Sequence, residues 1–230
     1  MKIVGIMSSP SKNGNTAVLV REALHGAAEA GAETTEIWLA DYRIEYCCGC
    51  MKCLSEGKCF INDDFENIKT ILYQSEGIIF GSPTYGLRPN ARMLNFLDRI
   101  GIFTAYTSSF GGKYLAGIAT AGGIGAKGVA KQLTQLANGI FKRGYISGIM
   151  GLLVGYDRVE KIPDSLEKAR SIGLKMAEDI RTGRKYCFQN MGNRFFNKLF
   201  LQRIMTKNIY KNKDTYMKGV YRNLVERKII

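Results

Sequence analysis

The sequence predicts an α/β domain in which a doubly wound, five-stranded parallel sheet carries helices on both faces, followed by a basic helical C-terminal extension. Three observations carry this reading. Five short apolar runs, continuous rather than alternating, have the pattern of strands covered on both faces. Stretches with helical periodicity lie between them, which calls for crossover connections and hence parallel pairing. Three loops rich in hydroxyl, small or glycine residues, at 8–16, 82–86 and 120–125, leave the C-terminal ends of strands, where an open α/β sheet has its ligand crevice.

The first strand is Lys2-Ile3-Val4-Gly5-Ile6-Met7. Ser8-Ser9-Pro10-Ser11-Lys12-Asn13-Gly14-Asn15-Thr16 follows, then a helix with Ala17, Leu19, Val20, Ala23 and Leu24 on its apolar face. A polar loop between a first strand and a first helix is where such a fold binds phosphate, because the N–H groups of the helix N-terminus carry partial positive charge. The loop matches neither G-x-G-x-x-G nor G-x-x-x-x-G-K-[ST], and a simple turn with an N-cap is the plainer alternative. Residues 34–39 form the second strand, and Asp63-Asp64 cap a helix that runs to about Tyr73. The third strand, 77–81, leads into the rigid loop Ser82-Pro83-Thr84-Tyr85-Gly86 and a helix from about Pro89 to Ile100. The fourth strand, 113–120, ends in Ala121-Gly122-Gly123-Ile124-Gly125, with a helix from about Gly128 to Lys142. A fifth strand near 146–154 and an amphipathic helix over 163–182 complete the domain, which the reading bounds at residues 1–183.

Five of the six cysteines lie within residues 47–59, and Cys47, Cys50, Cys53 and Cys59 spell C-x2-C-x2-C-x5-C. Compact C-x2-C-x2-C runs supply thiolates to iron–sulfur clusters, although the Pro that follows the last Cys of the bacterial ferredoxin pattern is missing. Structural zinc takes four thiolates too, usually as two C-x2-C pairs held well apart. A buried or redox-labile loop without metal is the third reading. Cys48 is an extra thiol and Cys187 reads as a free cysteine.

At 230 residues and 46% hydrophobic composition the chain has ample material for a core. It contains no apolar run of 18 residues and opens directly on a strand, so a cytoplasmic protein is expected, with its cysteines used for metal or redox work. The net charge of +13 suggests nucleic acid until it is mapped: residues 191–230 hold ten Lys/Arg against two Asp/Glu, and the remainder is ordinary. In this tail Phe195, Phe196, Leu199, Phe200 and Ile204 form an apolar stripe among Arg194, Lys198, Arg203 and Lys207. The favoured reading of residues 184–230 is a helical arm packed on its own domain or on a neighbouring subunit. Contact with an anionic membrane is the second reading, and nucleic acid is not expected.

The phosphate-type loop, the cysteine run, Gly81-Ser82-Pro83-Thr84-Tyr85 and Ala119-Thr120-Ala121-Gly122-Gly123, taken together and in this order, resemble the NAD(P)H-dependent FMN reductase and iron–sulfur flavoprotein group of the flavodoxin-like fold. The resemblance implies strand order 2-1-3-4-5 and a bound FMN. Ser9, Ser11, Asn15 and Thr16, with Asn13 nearby, would hold its phosphate. Pro83, Thr84, Tyr85 and Gly86 would flank the isoalloxazine, and Thr120, Ala121, Gly122 and Gly123 would touch its other edge. Close relatives often carry Arg where Ser11-Lys12 stand here, so hydroxyls would do more of the phosphate binding. In the iron–sulfur branch, Cys47, Cys50, Cys53 and Cys59 match the ligands of a [4Fe-4S] cluster.

The resemblance further implies NAD(P)H as co-substrate, or a ferredoxin-type protein donor, and a small-molecule acceptor such as flavin or quinone; an exposed arm of this kind needs a partner surface, so a homo-oligomer, dimer or tetramer, is expected. No acid–base or nucleophile set is visible; the single histidine, His25, reads as a structural or solvated residue of the first helix. The rival reading is a non-enzymatic electron carrier or redox sensor with a protein partner, which would oxidise almost no NAD(P)H at steady state.

Overall fold

The computed structural model describes the backbone of residues 1–230 and every side chain except that of Asn193. In chain order the elements are β1 (Lys2–Met7), α1 (Asn15–Glu29), β2 (Glu33–Trp38), α2 (Lys52–Glu56), α3 (Phe65–Gln74), β3 (Gly77–Tyr85), β4 (Arg88–Pro89) and α4 (Ala91–Thr107). They continue with β5 (Tyr114–Ala121), α5 (Ala126–Leu133), β6 (Tyr145–Leu153), α6 (Ser165–Arg181), α7 (Met191–Phe196), α8 (Gln202–Lys211) and α9 (Lys218–Glu226).

The five long strands pair in parallel in the order β2-β1-β3-β5-β6. Numbered without the two-residue β4, this is the expected order 2-1-3-4-5 of a flavodoxin-like sheet, with its switch point between β1 and β3. The continuous apolar runs are explained by burial on both faces. Ile3 and Met7 pack toward α1 and α6, whereas Val4 and Ile6 pack toward α3 and α4. Between α1 and α6 the helices approach so closely that a Cβ on Gly173 would lie 1.7 Å from the Ala23 carbonyl oxygen. Only glycine lets the two backbones meet there.

Several boundaries differ from the sequence expectation. The segment read as a loop at 82–86 continues β3, because β5 offers partners as far as Pro83↔Thr120. The chain then reverses through Gly86 and Leu87, at φ 56° and 63°, into β4. Two successive positive φ values are those of a type I′ hairpin turn. Helix α4 runs past Ile100 to Thr107, since Phe103, Thr104 and Thr107 keep facing inward. Helix α5 stops at Leu133 instead of continuing to Lys142. A 3-10 turn at Gln135–Ala137 follows it, and the chain then bends at Asn138-Gly139, where a Cβ on Gly139 would lie 2.3 Å from the Lys142 carbonyl oxygen. Asp63 and Asp64 precede α3 as expected: Asp63 Oδ1 accepts from the first helical N–H, that of Phe65 (3.1 Å), whereas Asp64 accepts from the backbone N–H of Arg43 (2.7 Å).

The C-terminal segment has two sides. Ile209, Met217, Val220 and Leu224 are buried with Leu54 of α2 and Phe103 of α4, and Gly219 of α9 lies directly against Gly57. Phe195, Phe196, Phe200 and Ile204, around a π turn at Asn197–Leu201, point outward and are more than half exposed. No helix is long and apolar enough to cross a membrane among the described residues.

Candidate functional site

The three loops come together at the C-terminal ends of β1, β3 and β5. Ser8 is fully buried: its N–H donates to the Gly81 carbonyl (3.0 Å), and its own carbonyl accepts from Asn90 Nδ2 (2.7 Å). Asn90 also caps α4, its Oδ1 accepting from the Met93 N–H (3.2 Å), and its N–H donates to Ser82 Oγ (3.0 Å). Trp38 Nε1 donates to the Ser9 carbonyl (2.7 Å), with Lys12 4.7 Å over the indole. One asparagine and one tryptophan thus fix the loop that leaves β1. Neither stood out in the sequence, because each acts over a long chain separation.

Within that loop Ser9 is buried, whereas Ser11 and Asn13 are exposed. The hydroxyl of Ser9 lies where a Cβ on Gly14 would be, 2.3 Å away, and Ser11 Oγ accepts from the Asn13 N–H (3.3 Å). Thr16 Oγ1 and Thr120 Oγ1 share a buried hydrogen bond (2.7 Å) that ties the first loop to the third. Asn15 turns elsewhere. Its Nδ2 donates to the Asp157 carbonyl (2.8 Å) and its Oδ1 accepts from the Val159 N–H (3.1 Å), so its side chain holds the loop after β6. Arg158 of that loop donates back to the Asn13 carbonyl.

Two features suit this crevice to a phosphorylated aromatic cofactor. Helix α1 begins with no side-chain cap and no acidic residue in its first turn. Among the described residues, its N–H groups before Val18 find no protein acceptor. Free N–H groups aligned with the helix dipole are suited to an anion. Thr84 Oγ1 is buried with no partner, an orphaned donor that a ligand can satisfy. Pro83 and Thr84 are half-buried and Tyr85 is 58% exposed; Gly86, Gly122 and Gly123 are exposed, and Ala121 is buried. Nothing fills the space that a Cβ on Gly123 would occupy. Ile124 and Tyr156, both exposed, stand on the loops after β5 and β6 and widen this apolar rim beyond the residues expected from sequence.

A second pocket lies beside α3 and α4. Cys47, Cys48, Cys50, Cys53 and Cys59 line it, together with Glu66, Lys69, Arg99 and apolar side chains. The short helix α2 presents Cys53, and left-handed residues at Gly49, Met51 and Gly57 bend the chain around it. Burial first, then the thiols of Cys59, Cys50 and Cys47, push the Cys53 thiol up to about 11, with Lys69 pulling the other way. All four cysteines of the C-x2-C-x2-C-x5-C run border this one pocket. Among the described residues, no three Cys, His, Asp or Glu form a ready single-ion site. Cys187 is exposed, far along the chain, and outside this pocket.

Charged side chains support the loop from beneath. Arg99 and Asp63 form an ion pair (2.7 Å) whose side chains are 1% and 0% exposed. Arg99 also donates to the Glu45 carbonyl (2.8 Å) and to Cys59 Sγ (3.3 Å), and stacks 4.3 Å over Phe65. Burial alone would raise the Asp63 carboxyl. The Arg99 guanidinium and the N–H groups of Glu45 and Phe65 outweigh it and hold the group below its ordinary value. Lys69, also buried, pairs with Glu66 (2.7 Å), and Glu66 accepts from the Cys59 N–H (2.7 Å). Helix α4 connects the two sites: Asn90 at its start holds the crevice, and Asn95 and Arg99 hold residues 44 and 45 before the cysteines. The nine residue steps from Asn90 to Arg99 correspond to about 14 Å of helix.

Comparison with known proteins agrees with this geometry. Residues 1–152 match the NADPH-dependent FMN reductase family. An iron–sulfur flavoprotein of Archaeoglobus fulgidus is 34% identical over 181 residues, covering 77% of this chain and 80% of that protein. One from Methanocaldococcus jannaschii is 46% identical over 99 residues, covering 43% of this chain and about half (51%) of that protein. Among solved structures, a flavone reductase superposes with a TM-score of 0.64 at 20% identity, over 79% of this chain and 63% of that one, a likeness of fold. With two thirds of its length matched by the family and a relative aligned across most of both chains, this protein belongs to the NADPH-dependent FMN reductase family.

Proposed function

We propose that this protein is an FMN-dependent oxidoreductase that accepts electrons from NAD(P)H, or from a ferredoxin-type protein donor, and passes them to a small acceptor such as a flavin or quinone. In the same reading, Cys47, Cys50, Cys53 and Cys59 would hold a [4Fe-4S] cluster, which would supply one-electron chemistry beside the flavin. The observation that carries the proposal is the pairing, across one helix, of a phosphate-type crevice with a pocket where four cysteines converge.

Bound FMN would supply hydride and single-electron chemistry; the protein's own residues bind and orient. The N–H groups at the start of α1, with the hydroxyls of Ser9, Ser11 and Thr16 and Asn13 nearby, would take the phosphate. Asn15 would contribute its backbone N–H, since its side chain already braces residues 157–159. Pro83, Thr84, Tyr85 and Gly86 would line one side of the ring, with the Thr84 hydroxyl as a free donor. Thr120, Ala121, Gly122 and Gly123 would line the other side. The protein would work in the cytoplasm, where thiols stay reduced, and as a homo-oligomer that covers the exposed phenylalanines of the arm.

The test is anaerobic purification followed by a visible spectrum and assays of iron, sulfide and zinc on one sample. Flavin bands with about four irons per chain are expected. Flavin without iron would leave an FMN reductase with a thiol loop, and a colourless protein that ignores added FMN would refute the proposal. Steady-state NAD(P)H oxidation with an artificial acceptor then separates an enzyme from a pure carrier.

A further inference from the structure

We propose that Arg99 is a positioning residue for the iron–sulfur centre: it fixes Cys59 by an N–H···S hydrogen bond and, as a buried cation, raises the centre's reduction potential, with Asp63 as its counter-ion. The inference rests on the cluster reading above and adds which side chain tunes it.

The geometry is specific. Arg99 Nη1 donates to Asp63 Oδ2 (2.7 Å) and Nη2 to Asp63 Oδ1 (3.1 Å), the two-pronged contact that a guanidinium makes and an ammonium cannot. The same Nη2 reaches Cys59 Sγ at 3.3 Å, so the carboxylate aims the guanidinium at the sulfur. Asp63 is itself held by the N–H groups of Glu45 (2.8 Å) and Phe65 (3.1 Å), which leaves the fork little freedom. Arg99 Nε is buried with no acceptor, so this residue still has a donor that no protein group uses.

The surrounding charges define the electrostatics. Two cations, Arg99 and Lys69, and two carboxylates, Asp63 and Glu66, face the loop. Their sum is zero, so the local field depends on which charge stands nearest the sulfur, and Arg99 is in contact with it. Adding an electron to the thiolate-bound centre adds one negative charge and breaks no bond. A cation and an N–H donor on a ligand sulfur favour the reduced form, and net charge and hydrogen bonds to sulfur are recognised levers on cluster potentials.

The test is a dithionite titration of the anaerobically reconstituted protein. Electron paramagnetic resonance reports the cluster midpoint, the flavin midpoint serves as an internal control, and iron is assayed in each sample. R99Q should lower the cluster midpoint by about 59 mV or more, a tenfold change for a one-electron couple. R99K should give a smaller downward shift, because charge remains but the fork is lost. D63N should shift the midpoint upward, because the counter-ion is removed and the cation stays. The double variant D63N/R99Q, which removes a buried pair together, should fall between the two singles. Unchanged midpoints with iron retained, or shifts of one sign in every variant, would overturn the role and leave Arg99 merely structural. If R99Q does not retain iron, D63N decides: no upward shift there overturns the proposal. A wild-type protein that takes up no iron would overturn the cluster reading, and this role with it.

Discussion

The crevice at the strand ends and the thiol pocket beside α3 are built by different means. The crevice is backbone: Ser8 is locked to Gly81, α1 starts uncapped, and the contacts that hold the loop run largely through main-chain N–H and C=O groups. The thiol pocket is side chain: exposed Cys47, Cys48 and Cys50 lie on the loop before the five-residue helix α2, held by the Arg99–Asp63 and Lys69–Glu66 pairs and roofed by α9. A site made by the ends of a parallel sheet exists wherever the sheet exists. A site made by buried ion pairs exists only where every partner is present. The second site should therefore be the easier one to lose by single substitution.

The largest expected effect follows directly. Cys53→Ser or Cys59→Ser should abolish iron binding while leaving the flavin spectrum in place; loss of both centres together would show that the two sites are not separable. Next is Asp63→Ala, which leaves a buried guanidinium without its carboxylate. A loss of about 3 kcal/mol in urea unfolding is expected. Its pH dependence has a defined sign. The Asp63 carboxyl titrates in the native state below its ordinary 3.8, so its contribution is complete above that value and disappears as pH falls through the lower native value. Acid should therefore destabilise the wild type more steeply than Asp63→Ala; equal slopes would contradict the buried pair.

On the crevice side the effects should be smaller and confined to flavin. Gly14→Val would place carbon where the Ser9 hydroxyl lies and 3.1 Å or closer to the Ser11 carbonyl. FMN affinity should fall at least tenfold, about 1.4 kcal/mol, with iron content unchanged. The smallest effect concerns the hairpin that carries Tyr85. Leu87 holds φ 63° with an exposed side chain, and Leu87→Asn should stabilise the fold by about 0.5–1 kcal/mol, read as a rise in Tm. Separately, the pair Phe196→Glu and Phe200→Glu should reduce the particle mass in light scattering if these rings cover a neighbouring copy.

Much of this was readable in the chain before any coordinates. Runs such as Ile3–Met7 and Gly77–Phe80 are apolar at consecutive positions because both sheet faces are covered, and that pattern survives in one dimension. The three loops could be placed at strand ends for the same reason. The spacing of Cys47, Cys50, Cys53 and Cys59 is local, and so is the loop that gathers them. The helix ends were less legible: α5 stops at Leu133, where no glycine or proline in the sequence marks the end.

By itself, then, the sequence determined the sheet, its order once the resemblance was recognised, the mouth of the crevice and the cysteine cluster, because each follows from periodicity or short-range spacing. The tertiary structure decided that Asn15 braces residues 157–159, that Asn90 and Trp38 clamp the first loop, and that α9 roofs the cysteine helix. It also decided that Arg99 and Asp63 meet Cys59. These are pairings between residues some 30 to 170 positions apart, and a buried charge or amide takes its meaning from the partner that the fold brings to it.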